Sequence, residues 1–363
     1  MDIFKYRSMW ATNLSDLGVG EMKDRVVLII LLSLLIAGCS ASQPESTSVT
    51  PAQSPASYVN NSATTPPEVN DSKIIRVVDD LGYEVVITKT PQRIVSLAPS
   101  NTEILFALGV GDEVVGVTDY CNYPPEAMNR TKVGGYSTID VEKVIALNPD
   151  LVVAAYGNGL ETIEALRGHG LTVIALNPKN LSDVMRNIEL LGEVTGCEEN
   201  ASQLVEMMKN RIEEVEKAVA NTSRPKVAHI MWHDPIWISG NNTFIDELIR
   251  LAGGENVFSD MDGWKIVSIE DILERNPDVI IVNSGTGMGG GENALYEWAV
   301  SELKDVSAVK NGRVYVIDAD IISRPSYRLV YALEEIAGFL HPECFGAESE
   351  SASKFAYSAV TQG

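Results

Sequence analysis

One segment of this chain occurs twice. Residues 140–153 read Asp-Val-Glu-Lys-Val-Ile-Ala-Leu-Asn-Pro-Asp-Leu-Val-Val, and residues 268–281 read Ser-Ile-Glu-Asp-Ile-Leu-Glu-Arg-Asn-Pro-Asp-Val-Ile-Ile. Each copy opens on a residue that caps a helix and carries a glutamate in the first turn, Glu142 or Glu270. Each then runs for about two apolar turns and passes through Asn-Pro-Asp into a buried strand. Ser268 and Asp271 also form a capping-box-like pair. Capped helices followed by strands occur in any βαβ protein. The shared Asn-Pro-Asp, at a fixed distance from the glutamate, is what marks two equivalent lobes.

The segments around the copies agree. Residues 74–79 and 84–88 alternate like a hairpin about Asp80-Leu81-Gly82-Tyr83. Arg93-Ile94-Val95-Ser96-Leu97 is a short apolar strand, Thr102 to Leu108 reads as a helix closed by Gly109, and residues 112–117 form another strand. This rhythm predicts an α/β fold of two lobes, each with a mainly parallel central sheet flanked by helices. The first lobe spans residues 73–181 and the second 224–345, followed by a polar tail over 346–363. Between the lobes, residues 182–223 carry apolar side chains at helical spacing, and Gly192 and Thr195-Gly196 divide this stretch into a short and a long helix. A long rigid helix joining two lobes limits hinge bending, so a small closure is expected. The chain's 363 residues, 45% of them hydrophobic, suffice for two cores. A net charge of −22 repels phosphate and argues against nucleic acid.

The N-terminus is of a different kind. Met22-Lys23-Asp24-Arg25 precedes an apolar run that ends in Leu35-Ile36-Ala37-Gly38-Cys39. A basic start, an apolar stretch and small residues before a cysteine make a bacterial-type lipoprotein signal over residues 1–38, with Met22 as the better start. Cys39 would then be the lipidated first residue of the mature chain. The same run also reads as a short membrane anchor, although it falls below the usual spanning length of about 20 residues. Either reading puts the remainder on the extracytoplasmic face of the cell membrane. Residues 39–72 are rich in Ser, Thr, Pro, Ala and Asn and read as a flexible tether. Several Asn-x-Ser/Thr triplets, including those at Asn129, Asn180 and Asn241, fit an exterior location.

These features together resemble the helix-backbone class (class III) of periplasmic binding proteins, over about residues 74–342. The first-lobe run Ser96-Leu97-Ala98-Pro99-Ser100-Asn101-Thr102-Glu103-Ile104-Leu105-Phe106-Ala107-Leu108-Gly109 carries that resemblance, as does Ala252-Gly253-Gly254-Glu255-Asn256-Val257-Phe258 in the second lobe. The class serves ABC importers for cobalamin, haem and iron–siderophore complexes, and the sequence looks closest to the cobalamin-binding members. The resemblance implies a non-enzymatic, monomeric lipoprotein that delivers a corrinoid to a permease and its ATPase. It implies contacts to the corrinoid from Tyr123, Tyr136, Trp237 and Trp264, with Asp320 and Arg324 as an acid–arginine pair near the last strand. It also implies that Glu142 and Glu270, one on each lobe, dock into arginine pockets of the permease. The chain departs from the subfamily at Tyr136, where a tryptophan is usual, and in lacking a second-lobe cysteine pair. A haem or an iron–siderophore complex is the alternative ligand.

The side-chain chemistry suits this reading. A corrinoid is large, nearly rigid and amphipathic, and opposed aromatics grip such a molecule with little loss of side-chain entropy. Four histidines and four cysteines are too few for a dense metal site, and neither a metal nor a cofactor is expected beyond the ligand. Strand alternation puts His229 and His233 on one face, where one could ligate haem iron or cobalt, although hydrogen bonding is the commoner role. Cys121, Cys197 and Cys344 form an odd set whose pairing is left open. The glycine-rich run over 284–291 lacks the Lys-Ser/Thr ending of a P-loop and reads as a mobile loop beside the cleft. A hydrolase would need a nucleophile elbow or a metal-binding helix, and neither motif is present. A sensor or adhesion domain without a transporter is the remaining class.

Overall fold

A computed structural model describes residues 74–284 and 293–345. The signal segment with Cys39, the tether, most of the glycine-rich run and the polar tail lie outside these residues.

The described chain begins with an antiparallel hairpin of β1 (Ile75–Val78) and β2 (Glu84–Ile87). Asp79 pins the hairpin to the first lobe: it is 4% exposed, and its Oδ2 accepts from Arg167 at 2.5 Å and from the Ala175 amide at 3.0 Å. There follow β3 (Ile94–Ser96), α1 (Pro99–Ala107), β4 (Val114–Val117), β5 (Thr131–Lys132), α2 (Val141–Ala146), β6 (Leu151–Ala155), α3 (Leu160–Gly168) and β7 (Val173–Leu176). Helix α1 starts three residues earlier than the sequence pattern predicts, because Pro99 sits in its first turn, where a missing N–H costs nothing. The five strands form an all-parallel sheet in the order β5-β4-β3-β6-β7.

The linking segment folds as two helices, α4 (Leu181–Thr195) and α5 (Glu198–Val219). Gly196, left-handed at φ 74°, closes α4. Gly192 does not break the helix. It lies inside α4, where a Cβ would collide with the side chain of Ala201 on α5, so it allows the two helices to approach closely. The connector is therefore a packed pair of helices instead of one rod.

The second lobe runs β8 (Lys226–His233), β9 (Ile236–Ser239), α6 (Phe244–Leu251), β10 (Glu255–Asn256), β11 (Trp264–Val267), α7 (Ile269–Arg275), β12 (Val279–Asn283), α8 (Ala294–Glu302), α9 (Ser307–Lys310), β13 (Val314–Ile317), α10 (Ala319–Ile322), α11 (Leu329–Leu340) and α12 (Pro342–Phe345). Its sheet is mixed, in the order β11-β9-β8-β12-β13 with β10 beside β8. Strands β10, β8, β12 and β13 run parallel, as expected. Strand β9 runs against its neighbours β8 and β11, because Asp234-Pro235 turns β8 straight back into β9 and leaves no room for a crossover helix, and β11 again follows the direction of β8.

The sequence repeat is a structural one. Asp140 caps α2 by accepting from the Lys143 amide, and Ser268 with Asp271 forms a full capping box on α7. Asn148 and Asn276 both turn the chain with positive φ, 46° and 43°. The aspartate that follows ties each copy to the first strand of its own sheet. Asp150 accepts from the Gln92 and Arg93 amides, and Asp278 accepts from the Lys226 amide at 2.9 Å. Both strands of the repeat, β6 and β12, are buried throughout. A continuous apolar core runs from the first-lobe sheet through α4 and α5 to α6 and α11 of the second lobe.

Candidate ligand-binding cleft

Between the lobes lies an open cavity of about 500 Å³. On the first-lobe side it is lined by the turns that follow β3, β6 and β7, with Asn101, Tyr156 and Asn177 among the residues. This is the carboxyl edge of a parallel sheet, where side chains and helix N-termini converge and ligands of open α/β sheets bind. Tyr136 and Tyr120 add two more aromatics from the same lobe. The ring of Tyr136 packs on Gly157, where any Cβ would strike it. Buried Asn158 fixes this corner: its Nδ2 donates to the Tyr136 and Leu97 carbonyls at 2.7 and 2.8 Å, and its Oδ1 accepts from the Ala155 amide. The opposing wall comes from Met231, Phe244 and Trp264 of the second lobe. Phe244 meets Trp264 edge to face at 6.2 Å, an arrangement that holds the indole in place.

Of the residues expected at the site, Tyr136, Trp264, Asp320 and Arg324 line this cavity together. Arg324 is not free: it pairs with Asp320 at 2.7 Å and Glu103 at 3.0 Å, and it donates to Asn122 at 2.7 Å. Tyr123 is not among the lining residues. Its ring lies under the Arg328 guanidinium at 4.0 Å, and its hydroxyl hydrogen-bonds Tyr327. Trp237 is not among these lining residues either. The antiparallel register places it beside Ile266, on the sheet face that carries Trp264 and Ser239. Sequence reasoning missed Tyr120, Tyr156, Met231 and Phe244. Tyr156 had a signal, since it directly follows the buried strand of the first repeat.

The sequence of the cleft-bearing region decides the family. Residues 94–321 match the family described as periplasmic binding protein. The chain belongs to the periplasmic binding protein family. Its members are the non-enzymatic substrate-binding components of ABC transporters. The uncharacterized ABC transporter substrate-binding lipoprotein YvrC of Bacillus subtilis is 33% identical over 325 residues, covering 87% of this chain and 96% of that protein. A vitamin B12-binding protein of Vibrio cholerae is 31% identical over 251 residues, covering 69% of this chain and 89% of its own length. Among solved structures, the periplasmic vitamin B12 binding protein BtuF of Vibrio cholerae superposes with a TM-score of 0.61 at 30% identity, covering 70% of this chain and 98% of that one. The periplasmic haem-binding protein RhuT from Roseiflexus sp. RS-1 superposes with a TM-score of 0.63 at 27% identity, covering 70% and 99%.

In this periplasmic binding protein the two histidines do not share a face. A β-bulge between Ile230 and Trp232 adds one residue to β8 and turns His233 to the opposite side from His229. His229 is fully buried between Ser239 at 2.7 Å and Asn283 Oδ1 at 2.9 Å, and burial lowers its pKa to about 4. The neutral ring donates from Nε2 to the Asn283 oxygen and accepts from the Ser239 hydroxyl at Nδ1. Both nitrogens are thus occupied. His233 stacks between Trp232 and Trp298, with ring centroids 5.0 and 5.5 Å apart. Cys121 is buried against the Thr102 and Thr118 hydroxyls, and the three described cysteines are unpaired. Glu142 and Glu270 are exposed in the first turns of α2 and α7, and neither carboxylate makes an ion pair among the described residues.

Proposed function

We propose that this binding protein captures a corrinoid between its lobes, held to the outer face of the membrane by lipid on Cys39, and hands it to an ABC permease. The observation that carries the ligand assignment is the charge state of the cleft. The lining residues include one cationic side chain, Arg324, and two carboxylates already neutralise it. An acidic iron chelate or a haem propionate would have to break those pairs to gain a partner. A neutral ligand with apolar faces and side amides needs only what the cleft offers: Tyr136 and Tyr156 on one wall, Phe244 and Trp264 on the other, and Asn177 as an amide partner. The likeness to the Vibrio cholerae vitamin B12-binding protein supports the same ligand.

A haem or ferric siderophore is the second reading, supported by the likeness to RhuT. It lacks an iron ligand from His229, which is sealed inside the second lobe. The deciding measurement is absorbance after the protein is mixed with cyanocobalamin, haem or a ferric siderophore and desalted. Cyanocobalamin is expected to co-elute at one equivalent. Co-elution of haem or a siderophore in its place would reverse the assignment.

A further inference from the structure

The second-lobe segment between α10 and α11 meets the first lobe through buried charge. Glu103, on α1, is 1% exposed, and Ser326 is fully buried. Glu103 Oε1 accepts from Arg324 Nη1 at 3.0 Å and from Arg328 Nη1 at 3.1 Å, and Oε2 accepts from the Ser326 hydroxyl at 2.5 Å. Burial pushes the Glu103 carboxyl upward, and Arg328, Ser326 and Arg324 oppose it. The network continues outward from Arg324 to the first-lobe loop: Asn122 Nδ2 donates to Asp320 Oδ2 at 2.7 Å, and Arg324 Nη2 donates to the Tyr120 carbonyl at 3.3 Å. Arg324 and Tyr120 line the cleft. Glu103 does not; it stands behind them.

We propose that Glu103 is a positioning residue for ligand capture, pinning the α10–α11 junction to α1 so that the lobes pivot about this seam and Arg324 stands set in the cleft wall before a ligand arrives. The inference rests on the cleft being the ligand site. Its physical basis is the cost of separating buried charges. Moving the α10–α11 junction off α1 would deprive the buried Glu103 carboxylate of the Arg324, Arg328 and Ser326 donors that offset its burial, which is strongly disfavoured. Opening at the outer rim, where Tyr120 and Tyr136 are exposed, breaks only solvent-exposed bonds such as that from Asn122 to Asp320. A wall whose polar groups are preset also loses less freedom when a ligand binds.

Hydrogen exchange of the ligand-free full chain tests this directly. Glu103→Gln keeps the shape of the side chain and removes its charge. Exchange is expected to speed by about tenfold in segments 99–108 and 323–331 while β6 and β12 keep their protection, because only the seam loosens. Glu103→Asp is expected to recover part of the protection. Cyanocobalamin should leave Glu103→Gln about tenfold faster, with its association rate nearly unchanged. Unchanged exchange in both segments would overturn the inference, and so would uniform loss of protection across both sheets, which marks a merely structural residue. If Glu103→Gln does not fold, Ser326→Ala decides instead: local deprotection of the same two segments supports the pivot, and wild-type rates overturn it. If the wild-type protein fails to bind cyanocobalamin, the exchange measurement still decides the role of Glu103, and only the corrinoid reading falls.

Discussion

Burial moves two ionisable side chains in opposite senses with pH. His229 has a folded-state pKa near 4, below its ordinary 6.5, because the second-lobe interior excludes charge. Its contribution is intact above pH 6.5 and is lost as pH falls from there toward 4. Glu335 on α11 behaves the other way. Burial, with the nearby Asp318 carboxylate adding to it, raises the Glu335 carboxyl to about 7 from 4.5. Ionisation therefore opposes folding: the penalty is absent at pH 4, grows between 4.5 and 7, and is constant above. Glu335→Gln is expected to raise the melting temperature by a few degrees at pH 8 and to leave it unchanged at pH 4. Melting curves at the two pH values check this, and an equal shift at both would disprove it. At this scale the sequence is read easily where a residue acts on its own backbone, as Asp140 and Ser268 do in capping their helices. It misleads where geometry intervenes. The spacing of His229 and His233 implies one shared face, and a single bulge residue separates them.

Among the elements, the connector shows how a glycine misleads. Inside an amphipathic helical pattern Gly192 suggests a break, yet α4 runs through it because Ala201 of α5 occupies the space beside it. Gly192→Val is expected to cost about 1–3 kcal/mol by forcing the helices apart, measurable as a lower denaturation midpoint with an unchanged slope. A neutral substitution would show that the two helices have room to spare. The capped helix, the Asn-Pro-Asp and the buried strand of the repeat were legible, because each acts locally, whereas the tie made by its aspartate spans more than fifty positions. The reversal of β9 was not foreseen, since a two-residue turn is a weak signal within a sequence that otherwise reads as βαβ.

For the whole molecule, the two repeat glutamates are proposed as docking points on a permease. Glu142 and Glu270 stand at equivalent places on the two lobes, exposed and unpaired among the described residues. Two such charges on separate lobes can fix orientation on a two-fold partner, as charges at an interface rim do. Glu142→Ala with Glu270→Ala is expected to abolish uptake while cyanocobalamin binding stays within about twofold of wild type. Uptake assays paired with binding measurements check this. Retained uptake would remove both residues from docking. The ligand site belongs to this scale as well. Its walls are built from turns after β3, β6 and β7 on one side and from β8, α6 and β11 on the other, so no single stretch of sequence contains it.

By itself the sequence determined the two equivalent lobes, their α/β character and the helical connector, because caps, periodicity and the repeat are interactions between near neighbours. The tertiary structure alone decided which aromatics meet. It brought Tyr156 and Phe244 to the cleft, left Tyr123 beneath Arg328 and Trp237 beside Ile266, and joined Glu103 to Arg324 and Arg328 more than two hundred positions away. Those outcomes depend on how two sheets are set against a packed pair of helices, and on which buried charges must find partners once water is excluded.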